Sequence, residues 1–287
     1  MQNLPQTKIY KKRTTVKTLM ITVPACLLAL AYSLLMHKSA ERQDADYFHT
    51  DEIPVAAAPA NTPVMTVLFV GNSYTMVNDL PGVIANIAAT DTATPVTIRA
   101  GRFLKPGTPL SEHWDRRAQA DPLSAGRWDY VVLQDSSMLP VIPSLLGDMK
   151  SSTANWVNAV RQTGSRPVLY EAWARQPGSS WYKTKELERF KTPEQMQDEI
   201  DRVINGLGAS LGAMVVPVGD YWMACMSQAG APNLYMADGT HPSPAGTYLT
   251  ALVFYRKLTG HELQHVTYVP PNLSQKDAAF ILRCASY

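Results

Sequence analysis

Short apolar runs rich in β-branched residues recur at residues 64–70, 95–98, 130–134, 167–170 and 214–218, and stretches with helical spacing of apolar positions lie between them at 80–89, 152–162 and 193–207. Each run has the length of a buried strand, and its alternation with helical patterns predicts parallel strands joined by crossing helices. The expected domain is α/β: a three-layer α/β/α sandwich with a central, mostly parallel five-stranded sheet. In such sheets ligands bind beyond the carboxyl ends of the strands, so the residues that follow each run are the first candidates for chemistry.

Before residue 64 the pattern changes character. Residues 1–18 are basic, with Lys8, Lys11, Lys12, Arg13 and Lys17, and residues 19–36 form a largely apolar run without a charge. Roughly eighteen residues at about 1.5 Å each nearly cross a bilayer core and exceed the apolar core of an ordinary signal peptide, so 19–36 is expected to be a transmembrane signal anchor. Positive charge before the run keeps 1–18 cytoplasmic and sends the rest outward. The expected place is a single-pass protein of the inner (cell) membrane with a periplasmic or otherwise extracytoplasmic domain. The rival is cleavage near Ala29-Leu30-Ala31, which gives a secreted protein; Val23-Pro24-Ala25-Cys26 resembles a lipoprotein box only faintly, and its proline counts against lipidation. Residues 37–63 turn acidic and then rich in Ala and Pro, a semi-extended linker, which leaves 64–287 as one domain.

Charge and cysteine content narrow the classes. A net charge of +2, with the basic residues gathered at the N-terminus, argues against a nucleic-acid partner. Cys225 and Cys284 are the only cysteine pair in the exported part, where a disulfide can form; two buried free thiols remain an equal alternative. There is no short-spaced His/Cys ligand pair, no Gly-rich phosphate loop and no dinucleotide fingerprint, so neither metal nor cofactor is expected. His261 and His265 carry no ligand-like spacing, and His113 reads as a partly exposed helix residue.

Chemistry concentrates at two places. The first strand ends in Gly71-Asn72-Ser73-Tyr74-Thr75, a turn that puts a serine at a helix start beside backbone N–H groups able to hold an oxyanion. Alone it reads as a turn or cap. Near the other end, Asp238-Gly239-Thr240-His241-Pro242-Ser243 places an acid and a histidine three apart on a constrained loop, where the carboxylate can orient the imidazole. Together the two supply nucleophile, base and orienting acid, with Ser73, His241 and Asp238 in those roles.

These end blocks resemble those of the SGNH (GDSL-like) hydrolases, a flavodoxin-like α/β family. Val67-Leu68-Phe69-Val70-Gly71-Asn72-Ser73 is similar to the first block, with Asn72 in place of the usual aspartate, and Asp238-Gly239-Thr240-His241 is similar to the last. The resemblance spans about residues 64–260 and implies an oxyanion hole made by the N–H of Ser73, a glycine N–H from the second block and a side-chain amide from the third. Gly101 is the expected glycine, with Gly107 its neighbouring candidate. The usual asparagine of the third block is missing: the strand ends in Gln134-Asp135-Ser136-Ser137, and Gln134, as in some members acting on acetylated sugars, is the expected donor. Asn72, Ser136, Glu171 and Trp173 are candidates for substrate contact, and Asp220-Tyr221-Trp222 is similar in kind.

The resemblance implies a serine esterase acting through an acyl-enzyme on an acylated small molecule or polysaccharide, with O-acetyl groups on extracytoplasmic glycan as the first expectation. Two alternatives stay open: an O-acyltransferase using the same triad, and a catalytically weak glycan-binding module.

Overall fold

The computed structural model describes residues 48–49 and 61–286. The expected anchor at 19–36, its basic flank and most of the linker lie outside the described residues. Among the described residues no helix is long and apolar enough to cross a membrane.

Five parallel strands form the sheet: β2 (Val64–Gly71), β3 (Thr97–Leu104), β4 (Tyr130–Leu133), β5 (Arg166–Glu171) and β6 (Met214–Pro217). A two-residue strand, β1 (Phe48–His49), adds an antiparallel edge beside β3, so the sheet has six strands in the order β1-β3-β2-β4-β5-β6. The expected five-stranded parallel core is present, and the sixth strand comes from what had been read as linker. Strand order reverses across β2, which runs between β3 and β4 with both neighbours parallel. Such a reversal opens a crevice at the carboxyl end of the strand.

Both faces of the sheet are covered, which is why its strands read as continuous apolar runs. Val67 and Phe69 point into one apolar core and Leu68 and Val70 into the other, as the two-residue period of a strand requires. The first core takes helices α2 (Leu80–Thr90), α6 (Val218–Met226), α7 (Pro244–Thr259) and α8 (Gln275–Ala285). The second takes α3 (Leu110–Arg116), α4 (Leu146–Gln162) and α5 (Pro193–Leu211). Helix α7 is buried on nearly all sides because α2 and α8 pack on it as well as the sheet. Cys225 of α6 and Cys284 of α8 form a disulfide, which resolves the choice the sequence left open.

The end of β3 is the main departure from the sequence pattern. The apolar run ends at Ile98, whereas β3 continues to Leu104 through Arg99, exposed, and Arg102, half-buried. Next to a two-residue edge strand, one flank of β3 meets solvent, so polar residues interrupt the apolar pattern without ending the strand.

Candidate active site

The turn after β2 is built to present Ser73. Asn72 caps the short helix α1 (Ser73–Met76), its side-chain oxygen accepting from the Tyr74 N–H at 3.3 Å. Ser73, at the first helical position, carries one of the N–H groups that a helix start leaves without an intrahelical acceptor. Asn78, at φ 56°, donates from its side-chain amide to the Pro242 carbonyl at 3.0 Å and the Thr247 hydroxyl at 2.9 Å, so the end of the serine segment is tied to the histidine loop.

That loop runs between Leu234 and α7 and closes on itself. The Met236 N–H donates to the His241 carbonyl at 2.8 Å, the Gly239 N–H to the Met236 carbonyl at 3.0 Å, and Gly239 takes φ 65°, which a side chain would strain. Asp238 Oδ1 accepts the Thr240 and His241 N–H groups at 2.9 and 3.0 Å, and Oδ2 lies 2.5 Å from His241 Nδ1. His241 Nε2 lies 2.9 Å from Ser73 Oγ. Partial burial alone would raise the Asp238 carboxyl, but the hydrogen bonds from His241 and Thr240 outweigh it and hold Asp238 below the usual carboxylate range. An ionised Asp238 accepting from Nδ1–H leaves the Nε2 lone pair for the serine proton. The side chains of Asp238 and His241 are 47% and 30% exposed, so both meet solvent.

The other expected residues are placed differently. Gly101 is not an oxyanion donor: it pairs with Leu68 in the ladder, three residues short of the end of β3, and so lies about 10 Å below the level of the nucleophile turn. Its lack of a side chain serves packing, since a Cβ there would fall 2.3 Å from the Trp128 ring. Gly107 is better placed. It sits at φ 70° in the exposed loop after β3 with open space where a Cβ would be, and the next residue, Thr108, accepts from the Asn72 side chain at 3.3 Å.

Gln134 is not an oxyanion donor either. Its Oε1 accepts from the Asn72 N–H at 2.9 Å and the Thr75 hydroxyl at 3.2 Å, while Nε2 donates to the Asp135 carbonyl, and the side chain is buried. Since a backbone N–H can only donate, the oxygen end must face the turn, and the amide clamps the nucleophile segment from below. Asn72 is likewise buried and spent on cap and loop contacts. Ser136 is half-buried, its N–H donating to the Asp135 carboxylate at 2.8 Å.

Trp173 and Glu171 do not line the crevice. Trp173 is fully buried, stacked between Tyr74 at 4.8 Å and Trp222 at 3.7 Å, and donates its indole N–H to the Thr240 carbonyl at 3.1 Å. Glu171 is buried against α5, where Gln197 Nε2 donates to it at 2.7 Å; burial first, and then the nearby Asp201 carboxylate, raises its carboxyl well above the ordinary range. Glu171, Asp201 and Asp220 bring carboxylate oxygens within 4.8 Å of one another. The Gln197 amide nitrogen, also 2.7 Å from Asp201, sits among the same oxygens and is held there because its oxygen accepts the Ala174 N–H at 2.7 Å. Two of the three carboxylates, Glu171 and Asp201, thus share one neutral amide donor. Asp220 begins α6 rather than ending a strand, and Trp222 is buried in the core.

His113 was the residue the sequence undervalued. It is fully buried on α3, with Nε2 2.8 Å from the Gly71 carbonyl, directly behind the nucleophile turn. Burial, the largest influence, pushes its pKa down to about 4 against the opposing bond to Gly71, so the ring is neutral and Nε2–H donates. An unfolded imidazole takes its proton near 6.5, so between pH 6.5 and about 4 the unfolded chain binds more protons than the fold. Stability from this group is therefore complete above 6.5 and lost as pH falls through that window, by about 3 kcal/mol. Asp135 and Asp220, both raised to about 6 chiefly by burial, titrate in the opposite sense, so the effect is read by difference. In urea titrations at pH 7 and 4.5, His113→Gln is expected to lose less stability on acidification than wild type, or to gain more, because only the His113 contribution is removed; an equal change in both proteins would contradict the buried neutral imidazole.

No known family model matches the chain, and no curated protein matches it. Solved structures do. The chain is similar to a protein assigned to the SGNH hydrolases from Slackia heliotrinireducens, at 27% identity and TM-score 0.54, covering 68% of this chain and 99% of that one. It is similar to a DUF4886 family protein from Bacteroides uniformis, at 16% identity and TM-score 0.63, over 78% of this chain and 93% of that one. An acetylxylan esterase from Geobacillus stearothermophilus shares the fold at 14% identity and TM-score 0.53, over 72% of this chain and 99% of that one. In fold the chain is thus similar to the SGNH (GDSL-like) hydrolases.

Proposed function

We propose that the protein is a serine esterase that removes acyl groups, chiefly O-acetyl, from polysaccharide outside the cytoplasm, held at the membrane by residues 19–36. The observation that carries the mechanism is the pair of short contacts on the two ring nitrogens of one imidazole, Ser73 Oγ to His241 Nε2 at 2.9 Å and His241 Nδ1 to Asp238 Oδ2 at 2.5 Å. Ser73 Oγ attacks the ester carbonyl carbon as its proton passes to Nε2. The N–H of Ser73, and that of Gly107 in the loop after β3, are the donors assigned to the oxygen that becomes negative. The imidazolium, steadied by Asp238, returns the proton to the departing sugar oxygen as the ester C–O bond breaks. Water then attacks the acyl-serine with His241 as base, and the acid and free Ser73 are released.

The open triad favours hydrolysis over transfer, because nothing in the exposure of Asp238 and His241 keeps water from the acyl-serine. The direct test is acetate release from acetylated xylan by the full chain, with and without a soluble glycan acceptor, alongside labelling by a serine-reactive phosphonate. Acetate release and labelling together are expected. Release that gives way to acetylated acceptor would make the protein an acyltransferase, and glycan binding without labelling would reduce it to a binding module.

A further inference from the structure

Trp181 is 41% exposed, although an indole is among the most costly side chains to leave in water. It is also held in place. Its backbone N–H donates to the Ser179 hydroxyl at 3.3 Å, its backbone carbonyl accepts from the Thr184 N–H at 3.0 Å and hydroxyl at 2.8 Å, and the Arg175 guanidinium lies over the ring, 5.4 Å from its centroid. Arg175 is itself buried, and so is a rigid support.

The start of this segment adjoins the triad on two sides. Arg175 Nη1 donates to the Tyr74 hydroxyl; Tyr74 follows Ser73 in the chain, and its ring meets that of His241 at 5.6 Å. On the other side the Gln176 N–H donates to the Gly239 carbonyl at 3.0 Å, one residue from Asp238, and Gln176 Oε1 and Ser179 Oγ lie 3.3 and 3.6 Å from where a Gly239 Cβ would be. An exposed aromatic ring is thus carried by the same short segment that contacts the nucleophile turn through Arg175 and the histidine loop through Gln176, with the Gln176 amide and Ser179 hydroxyl beside Gly239 of that loop.

We propose that Trp181 is the platform of a sugar subsite: its indole takes the apolar C–H face of a pyranose ring on the alcohol side of the ester while Gln176 and Ser179 meet the ring's hydroxyls. The assignment rests on the esterase reading above. An acyl chain is the poorer occupant, since it needs a concave apolar slot, and Trp181 stands in the open beside Gln176, Ser179 and Ser180. Fixing the ring in advance also lowers the ordering cost of binding.

The experiment compares the full chain with Trp181→Ala, Trp181→Phe and, as a control for trimming an exposed apolar side chain, Val64→Ala at the far end of β2, where Val64 is 52% exposed. Substrates are an acetylated xylo-oligosaccharide, p-nitrophenyl acetate and p-nitrophenyl decanoate. The preference for the oligosaccharide over p-nitrophenyl acetate, as a ratio of kcat/KM, is expected to fall about tenfold in Trp181→Ala, mainly through KM, and to recover largely in Trp181→Phe. Val64→Ala should keep the wild-type preference. An unchanged preference in Trp181→Ala, a loss that appears on decanoate instead, or a wild-type protein that turns over p-nitrophenyl acetate but not the oligosaccharide would each overturn the assignment. Failure of the esterase reading is separate: Ser73→Ala would then release as much acetate as wild type.

Discussion

Ser73→Ala is expected to lower kcat/KM for ester hydrolysis by about 10⁴-fold or more, with an unchanged fold and thermal midpoint. The size follows from the unit that is broken. Without Oγ there is no acyl-enzyme, and what persists is only the stabilisation that the remaining N–H groups give to attack by water. The substitution removes one atom from a half-buried side chain whose contact of interest is with His241 Nε2, so packing beneath it is undisturbed. Non-additivity makes the test sharper. His241→Ala alone should cost about as much as Ser73→Ala, and the double variant should be scarcely worse than either, because the two act as one proton-transfer unit. Asp238→Asn should cost about 10²–10⁴-fold while leaving the backbone bonds to Oδ1 possible, since an amide cannot accept from both Nδ1–H and the loop without presenting its own N–H₂ to one of them. Full turnover in Ser73→Ala, or losses that multiply in the double variant, would remove these residues from a common mechanism.

The parts of this protein that follow a simple period were legible in its sequence. The five parallel strands, buried on both faces, read as apolar runs, four of them within a residue or so at both ends and β3 only in its first half, and the rule that chemistry gathers at their carboxyl ends led to Ser73. Asp238 and His241 were legible because they lie three apart on one loop, so a local signal carried their meeting. Roles that depend on which way a chain turns after a strand were not legible. Glu171 ends β5 and Trp173 follows it, at the end of the strand where the rule points, yet both turn inward, Trp173 beneath the histidine loop and Glu171 toward α5. Gly101 was misplaced because Arg99 and Arg102 hide the second half of β3 from any apolar count. Gln134 was found at the right place with the wrong task, since only the contact with the Asn72 N–H reveals which end of the amide faces the turn. His113 belongs to the same class: a histidine between Glu112 and Trp114 on a short helix gives no sign that its ring reaches the Gly71 carbonyl. Trp181 passed without notice because a single exposed aromatic acquires meaning only from what lies beside it.

Trp173→Ala is expected to be the most destabilising single change near the site, by about 3–5 kcal/mol, the usual cost of truncating a fully buried aromatic. Three losses combine. The indole leaves a cavity between Tyr74 and Trp222, which stack on its two faces at 4.8 and 3.7 Å. The Thr240 carbonyl loses the indole N–H that reaches it at 3.1 Å. Tyr74 loses its support while still contacting His241 edge-on, so the nucleophile segment and the histidine loop no longer share a common floor. Activity should fall with stability, and it should fall in kcat on p-nitrophenyl acetate as much as on an acetylated oligosaccharide, because the defect lies in the alignment of Ser73 with His241 and not in sugar binding. Trp173→Phe should recover part of the stacking but not the bond to Thr240, and so sit between wild type and Trp173→Ala in both urea midpoint and kcat. A variant that keeps wild-type stability and loses only affinity for the oligosaccharide would instead make Trp173 a substrate contact, and would require the indole to leave the stack that the fold builds around it.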